Sequence, residues 1–362
     1  MRRLPTAALL LSILGPLACG SDHPTTPSQT PPTTTTIPGG TASGLQVAPL
    51  RDAAQSAGKL VGAAVQSGLL GDGRYSGVLG RHFNYLTAEY EMKWDQIERT
   101  QGINNFSAGD AIVGYGQANG MKIKGHTLIW HGSVPSWLGS LSASDLRAAF
   151  ENHIRAVAEH FRGRVASWDV VNEAIADDGS GLRDTVFRQK LGDQYIADAF
   201  RIARQADPQA LLFYNDYGGE GLNQKSNRIY DLVQGLRAQG VPIDGVGLQM
   251  HITGSSPPST ASVASNMQRL ASLGLLVNIS EMDVRIRDLP AATRLETQRS
   301  VYRSIVAVCV DEPRCDAVTF WGFTDAHSWI DAQFGADDPL LFDDQYGAKP
   351  AYSGIFDALS RR

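Results

Sequence analysis

Short, largely apolar runs recur along the chain from Lys59 onward, and eight of them can be distinguished. They are KLVGAAV (59–65), FNYLTAEY (83–90), KIKGHTLIW (122–130), VASWDVVNE (165–173), ALLFYND (210–216), GVGLQMH (245–251), LVNISEMD (276–283) and AVTFWGF (317–323). A run of this length that is apolar on both faces is typical of a strand covered on both sides, as in a parallel sheet.

The segments between these runs predict helices. In residues 142–161, apolar side chains recur every three or four positions from Leu146 to Phe161, after a Ser/Asp start. Strand and helix therefore alternate, and eight such units favour a closed barrel over an open doubly wound sheet. The first run is also not followed by the glycine-rich fingerprint of a dinucleotide site. The predicted fold class is α/β, a (β/α)8 TIM barrel forming a single catalytic domain.

The N-terminal residues predict export. Arg2 and Arg3 precede an apolar stretch too short to span a bilayer, which indicates a signal peptide over residues 1–18. The sequence Leu17-Ala18-Cys19-Gly20 resembles a bacterial lipoprotein cleavage site, so we expect lipidation at Cys19, with simple secretion as the alternative. The expected location is the cell surface or the periplasm.

Residues 19–44 are rich in Thr and Pro and predict an extended linker before a catalytic domain over residues 45–362. The two remaining cysteines, Cys309 and Cys315, predict a disulfide in an exported protein, with two buried free thiols as the alternative. A net charge of -5 without any polybasic segment argues against nucleic acid as a partner. We expect a monomer that contacts a membrane only through its lipid anchor.

Two glutamates end runs that are distant in the sequence. Glu173 ends the fourth run, directly after Asn172, and Glu281 lies near the end of the seventh. The C-terminal ends of barrel strands meet at one mouth, so these carboxyl groups can face each other. Hydrolysis of an acetal requires such a pair, because one carboxyl protonates the leaving oxygen while the other acts on the anomeric carbon or on water. The alternative is two ordinary solvated or salt-bridged glutamates.

Further polar residues follow the same strand ends. Gln249 and His251 share one face of the sixth run, and Glu281 and Asp283 share one face of the seventh. We therefore expect His251 to donate a hydrogen bond to Glu281, with Asp283 orienting the histidine, so that Glu281 stays ionised as a nucleophile. The alternative is a histidine that only satisfies local hydrogen bonds. The other polar strand-end residues are Glu89, His126, Trp130, Asn215, Asp216 and Trp321.

Tryptophans near the strand ends favour a sugar substrate, because flat ring faces can stack on pyranose rings. They are Trp130, Trp137, Trp321 and Trp329, each of which could instead pack in the core. Three histidines, His126, His131 and His251, could be metal ligands, but no HxH or HExxH spacing occurs. We expect no catalytic metal and no cofactor.

Motifs matching one family run in order along residues 45–358: LTAEYEMKWD, GHTLIWH with PSW, WDVVNEA, NDY, GLQMH, SEMDV, TFWGFTDAHSW and the closing PLLFDDQYGAKPAY. Together they resemble the family 10 glycoside hydrolases, the retaining endo-β-1,4-xylanases. The resemblance implies that xylan or xylo-oligosaccharides are the substrate. It also implies that Glu173 is the general acid/base, that Glu281 is the nucleophile, and that Asn172 holds the 2-hydroxyl of the sugar.

We also expect substrate-binding and supporting roles for further residues, and for most of them the same resemblance implies the role. Those expected to bind substrate are Glu89, Lys93, His126, Trp130, Asn172, Gln249, His251, Trp321 and Trp329, and those expected to support the site are Asp283 and Tyr217. Two positions depart from the family pattern, since Tyr90 replaces the usual Asn and Ser133 the usual Gln. A preference for decorated xylan or for short oligosaccharides is therefore a hypothesis for this chain.

The sequence leaves three rival functions open. A surface lipoprotein could capture xylan without cleaving it, although the presence of both Glu173 and Glu281 argues against this. The same barrel could also cleave another β-glucan, because paired glutamates on this fold serve many sugars. A metal-dependent barrel hydrolase is the third.

Overall fold

The computed structural model of the protein describes residues 43–361. The predicted signal peptide (1–18), the lipidation site Cys19 and the predicted linker as far as residue 42 lie outside the described residues. The last residues of the predicted linker already contact the folded domain. The Gly44 amide donates to the Tyr346 carbonyl at 2.8 Å, and the Gly44 carbonyl lies 2.6 Å from His82 Nε2.

Eight parallel strands close a barrel, which confirms the predicted fold class. They are β1 (Leu60–Val65), β2 (Tyr85–Ala88), β3 (Lys122–Trp130), β4 (Ser167–Asn172), β5 (Leu211–Asp216), β6 (Gly245–Leu248), β8 (Leu276–Arg285) and β9 (Cys315–Phe320). Neighbours in sequence pair in order, β6 pairs with β8, and β9 closes the ring on β1. The sixth predicted run is divided, because β6 ends at Leu248 and His251–Thr253 forms a separate strand, β7, that pairs with β8.

Helices alternate with the strands, and most of them pack around the outside of the barrel. They are α1 (Leu50–Ser56), α2 (Gly73–His82), α3 (Trp94–Ile97), α4 (Ser107–Ala118), α5 (Ala143–His160), α6 (Val186–Leu191), α7 (Tyr195–Ala206), α8 (Gln224–Ala238), α9 (Thr260–Ser272), α10 (Arg294–Asp311), α11 (Trp329–Phe334) and α12 (Pro350–Leu359). Helix α5 occupies the span predicted by its spacing, with the Ser142 side chain capping its first turn. Within residues 43–361, no helix combines the length and apolarity that a bilayer crossing requires.

Tight packing on the helix-facing side of the barrel strands explains one glycine and one tryptophan. Trp168 is fully buried, and a Cβ atom built on Gly125 of the neighbouring strand would lie 2.1 Å from its ring. Only glycine therefore lets β3 pass beside this indole. Trp168 and Trp94 are both buried core residues.

The disulfide lies at the opposite end of the barrel from the strand C-termini. Cys309 near the end of α10 is bonded to Cys315 at the start of β9, with Cα atoms 5.2 Å apart. The bond therefore ties the last barrel strand to the helix before it. Because the loop it closes is short, its entropic contribution to stability is modest.

Candidate active site

A cavity of about 610 Å³ opens at the C-terminal ends of the barrel strands. Both predicted glutamates line it, together with most of the predicted substrate-binding residues. The lining residues are Tyr90, Lys93, His126, Trp130, Asn172, Glu173, Tyr217, Gln249, His251, Glu281, Arg285, Trp321, Trp329, Ile330, Gln333 and Phe334. Glu89 and Asp283 are buried behind this lining.

Glu173 follows β4 with a positive φ of 58°, a backbone conformation that is uncommon for a residue with a side chain. Its amide donates to the Asn215 carbonyl on β5 at 2.9 Å, which holds the turn against the neighbouring strand. The carboxyl oxygens accept hydrogen bonds from Trp130 Nε1 at 2.8 Å, Gln249 Nε2 at 3.0 Å and the adjacent Asn172 Nδ2 at 3.3 Å. All three donors are uncharged N–H groups.

Glu281 lies within β8 and is 5% exposed. One carboxyl oxygen accepts from Asn215 Nδ2 at 2.6 Å, and the other lies 3.2 Å from His251 Nε2. His126 Nδ1 lies 3.9 Å from the first oxygen. Burial alone would raise the pKa of Glu281, but the histidines and the Asn215 hydrogen bond outweigh it and lower the pKa to about 2. Glu281 is therefore ionised at neutral pH.

His251 bridges Glu281 to Asp283, as the strand spacing predicts. Its Nδ1 lies 2.8 Å from Asp283 Oδ2, while its Nε2 faces Glu281. Burial would lower the pKa of His251, but the two carboxylates outweigh it and raise the pKa to about 10. Both ring nitrogens of His251 therefore donate, as an imidazolium. Trp329 Nε1 donates to the same Asp283 oxygen at 2.8 Å and so fixes this carboxylate in turn.

A chain of amides connects the two glutamates. The Asn172 Oδ1 oxygen accepts from Asn215 Nδ2 at 2.9 Å and from Gln249 Nε2 at 3.2 Å. Since Asn215 also donates to Glu281 and Gln249 also donates to Glu173, the positions of the two carboxyl groups are set together. The sequence placed Asn215 at a strand end without assigning it a role, because its partners lie on non-adjacent parts of the chain.

Beneath Glu281 lies a buried cluster of charges that sequence reasoning missed in part. His126 Nδ1 is 2.9 Å from Asp169 Oδ2, and Lys124 Nζ is 2.8 Å from the other Asp169 oxygen. The side chains of Lys124 and Asp169 are each 1% exposed. The potential ligand atoms of His126, Asp169 and Glu281 lie within 4.8 Å of one another. The Lys124 ammonium already balances the Asp169 carboxylate in this cluster.

Lys93 lies among aromatic rings on one wall of the cavity. Its Nζ is 4.7 Å from the centre of the Trp130 ring, 4.9 Å from that of Tyr90 and 5.8 Å from that of Trp321. Burial lowers the pKa of Lys93, against the attraction of Glu281, Glu89 and Glu173. Glu89 accepts a hydrogen bond from Gln66 Nε2 at 3.1 Å, and its burial raises the pKa of this carboxyl.

Tyr90 and Ser133, the two residues that depart from the family pattern, lie in different surroundings. Tyr90 lines the cavity and is 42% exposed. Ser133 is buried beside the cavity, where its hydroxyl donates to the Asp95 carboxylate. Tyr90 can therefore touch a bound sugar, whereas Ser133 does not line the cavity.

Of three further residues that the sequence singles out, only Tyr217 lines the cavity. Tyr217 lines the cavity, and its hydroxyl pairs with Asp177, which Arg183 also contacts at 2.6 Å. Trp137 does not line the cavity, since it packs against Trp94 and donates to a backbone carbonyl. His131 lies next to the Trp130 ring, outside the group of potential metal ligands.

A closed parallel barrel with two carboxyl groups and several indole rings at its C-terminal mouth defines a barrel glycoside hydrolase. Residues 49–358 match the family model for glycosyl hydrolase family 10, and the chain belongs to this family. The resemblance seen in the motifs is thereby confirmed.

Relatives and solved structures of this family cover most of the chain. Endo-1,4-beta-xylanase B of Thermotoga neapolitana is 41% identical over 80% of this chain and 84% of its own length. The endo-1,4-beta-xylanase of Agaricus bisporus is 40% identical over 84% of this chain and 92% of its own. The crystal structure of xylanase 10B from Thermotoga petrophila RKU-1 in complex with xylobiose superposes with a TM-score of 0.83. It is 39% identical and covers 87% of this chain and 98% of that one.

Proposed function

We propose that this protein is an endo-β-1,4-xylanase that hydrolyses internal xylosidic bonds with retention of configuration at the anomeric carbon. The observation that carries the proposal is the contrast between its two cavity carboxyls. Glu281 is held ionised beside the His251 imidazolium, whereas Glu173 is contacted by uncharged donors. A double displacement needs this difference, with one ionised nucleophile and one carboxyl that exchanges a proton.

The reaction proceeds in two steps. The Glu281 carboxylate attacks the anomeric carbon while Glu173 protonates the departing glycosidic oxygen, which gives a glycosyl ester on Glu281. Glu173, now ionised, then takes a proton from a water molecule that attacks the ester, which releases the sugar and restores both carboxyls. Retention by this route requires carboxyl groups about 5 to 5.5 Å apart.

The cavity walls fit a chain of pyranose rings. Asn172 and Gln249 present amides beside Glu173, where they can hold sugar hydroxyls, and Lys93 and His126 line the same cavity. Trp321 and Trp329 supply ring faces on the wall formed after β9. Glu89 acts through Lys93, Asp283 acts through His251, and Tyr217 shapes the rim.

Two measurements test this proposal directly. The full chain should release reducing sugar from xylan and far less from carboxymethylcellulose, and NMR of the first product should show the β-anomer. Preferential cleavage of the cellulose derivative would favour the alternative β-glucanase, and an initial α-anomer would exclude the double displacement. No release from either polymer, with retained binding, would identify a carbohydrate-binding protein.

Tyr90 bears on substrate preference. Its ring is exposed in the cavity next to Lys93, so it can stack on a sugar in the glycone part of the cleft or narrow the space for it. We expect Tyr90→Asn to change the ratio of kcat/KM values for decorated and linear xylan. An unchanged ratio would show that position 90 does not set the preference.

The proposed cellular location is outside the cytoplasm, with Cys19 as the lipid attachment site. The disulfide between Cys309 and Cys315 supports an oxidising compartment. Membrane fractionation of the protein and of its Cys19→Ser variant, each expressed in a bacterium, tests the anchor. The parent should sediment with membranes and the variant should not. Equal distribution would favour simple secretion.

A further inference from the structure

The wall of the cavity formed by β8 carries a cation that forms no ion pair with any acidic side chain of the described residues. Arg285 ends β8, and it belongs to none of the ion pairs formed within residues 43–361. The other basic side chains on the cavity wall face acidic groups. His251 faces Asp283 and Glu281, His126 faces Asp169, and Lys93 is attracted by several acidic groups.

The Arg285 guanidinium is held in a defined place by an aromatic ring. Its Cζ lies 4.3 Å from the centre of the Phe334 ring at the end of α11. Phe334 is itself 42% exposed and lines the cavity. Stacking on a ring orients the planar guanidinium and leaves its N–H edge available to a ligand. A guanidinium in this setting fits a carboxylate, which it can bind through two parallel hydrogen bonds.

Arg285 also marks the junction of two concave surfaces. It lines the catalytic cavity and a neighbouring groove of about 460 Å³. The groove presents hydroxyl side chains, those of Thr253, Ser256, Ser259 and Ser262, as well as the exposed Leu222. Its one lining carboxylate, Glu220, is occupied by backbone amides, since its Oε1 accepts from Gly218 N at 2.9 Å and from Met250 N at 3.2 Å.

The distance between Arg285 and Glu281 indicates that Arg285 contacts a branch of the polysaccharide and not the sugar that is attacked. Arg285 lies four residues beyond Glu281 on the same strand and on the same face, at a distance of roughly 13 Å along the backbone. A sugar whose anomeric carbon is attacked by Glu281 would therefore not reach it. A substituent that projects from a sugar of the bound chain into the neighbouring groove could.

We propose that Arg285 binds the carboxylate of a uronic acid branch on the polysaccharide, with the branch sugar lying in the groove beside the cavity. The proposal rests on the proposed xylanase activity and names a substrate class for the same site, a xylan that carries acidic branches. The hydroxyl side chains of the groove face the branch hydroxyls, and the Arg285 guanidinium binds the branch carboxylate.

The test compares three oligosaccharides of equal backbone length with the full chain. One is linear, one carries a single uronic acid branch, and one carries the same branch with its carboxyl reduced to the alcohol. The wild type should show a kcat/KM that is roughly tenfold higher for the acidic branch than for the reduced branch. The ratio should fall as salt is added, because the contact is exposed to solvent.

Arg285→Gln should bring this ratio close to one, and Arg285→Lys should give an intermediate ratio, because a lysine keeps the charge without the planar fork. Arg162→Gln is the matched control, since Arg162 is exposed at the end of α5, before β4 and remote from the strand C-termini, and it should keep the wild-type ratio. Measurable hydrolysis of the linear chain by each variant shows that it is folded.

A wild-type ratio of one or less, or a ratio that Arg285→Gln leaves unchanged, would overturn the proposal. In either case, cleavage of the linear chain by the wild type would leave the proposed function intact. Failure to cleave any of the three oligosaccharides would instead refute the xylanase assignment itself.

Discussion

The two carboxyl groups of the cavity lie in different surroundings although an amide chain joins them. Glu281 is buried in β8 beside His251 and near His126, and its pKa is lowered to about 2. Glu173 lies just past the end of β4, and no ion pair among the described residues includes it. Its three hydrogen-bond donors are an indole and two amides.

The difference shows how one barrel mouth can assign opposite roles to identical side chains. Cationic partners stabilise only the ionised form of a carboxyl, so they suit a nucleophile that has to stay charged. Uncharged donors orient a carboxyl without adding a full positive charge beside it, so they suit a group that gains and loses a proton in each cycle. Substitutions that disturb one of these environments at a time should therefore separate the two roles.

The largest effect is expected for Glu281→Ala, which removes the attacking oxygen. Xylan hydrolysis should fall below detection, since no covalent intermediate can form. Added azide can enter the space left by the side chain and attack an activated aryl xyloside directly. The product should then be the α-glycosyl azide, identified by NMR. A β-glycosyl azide, or substantial activity on xylan, would show that Glu281 is not the nucleophile.

A smaller loss is expected for Glu173→Ala, because the nucleophile remains. On xylan, kcat should fall by roughly 10²- to 10⁴-fold, the usual contribution of a general acid/base. On an aryl xyloside whose leaving group needs no proton, the first step should survive and the ester should accumulate as a burst. Azide should now give the β-glycosyl azide. Equal losses on both substrates would contradict the role of proton donor.

Removing the cation next to Glu281 should change the pH dependence. In His251→Gln, Glu281 loses its imidazolium partner at 3.2 Å, so its pKa should rise by roughly 1 to 3 units. The acid limb of kcat/KM should therefore move upward from its wild-type position near pH 2. Trp329→Phe is the control, because it removes the other donor to Asp283 without changing any charge. Coincident acid limbs in wild type and His251→Gln would contradict this assignment.

His251→Gln should also show over which pH range the ion pair between His251 and Glu281 stabilises the fold. The pKa of Glu281 is lowered from 4.5 to about 2, so its contribution is present above pH 4.5 and is lost as the pH falls through about 2. The pKa of His251 is raised from 6.5 to about 10, so its contribution is present below pH 6.5 and is lost as the pH rises through about 10. The difference in unfolding free energy between wild type and His251→Gln should be largest from pH 4.5 to 6.5.

Much of this arrangement could be read from the sequence, because strand periodicity places residues 281 and 283 on one face and ends each run at the barrel mouth. The helix over α5 and the eight strands follow from the same spacing. The sequence did not predict that the sixth run divides after Leu248. The division coincides with a positive φ of 69° at Met250, a backbone conformation that a methionine side chain does not favour.

Contacts between side chains on different strands were harder to predict from the sequence. Lys124 and Asp169 lie on neighbouring strands as charged residues inside apolar runs, yet nothing local shows that they meet beneath His126. Nor did the sequence indicate that Arg285 forms no ion pair within residues 43–361, because this depends on how the surface is packed. Trp130 and Trp137 look alike in the sequence, but only Trp130 lines the cavity.

Substitutions at Trp130 and Trp137 should have the smallest effect on activity, and they test whether the surroundings of Glu173 and Glu281 act separately. Trp130→Phe keeps an aromatic ring near Lys93 and removes the N–H that donates to Glu173. We expect kcat/KM on xylan to fall about tenfold, the scale of one hydrogen bond to a carboxylate. The acid limb should stay in place, because the surroundings of Glu281 are unchanged. Trp137→Phe makes the same substitution outside the cavity and should retain wild-type kinetics. If Trp130→Phe moved the acid limb as His251→Gln does, the surroundings of Glu173 and Glu281 would not act separately, and they would not explain the separate roles of the two carboxyls.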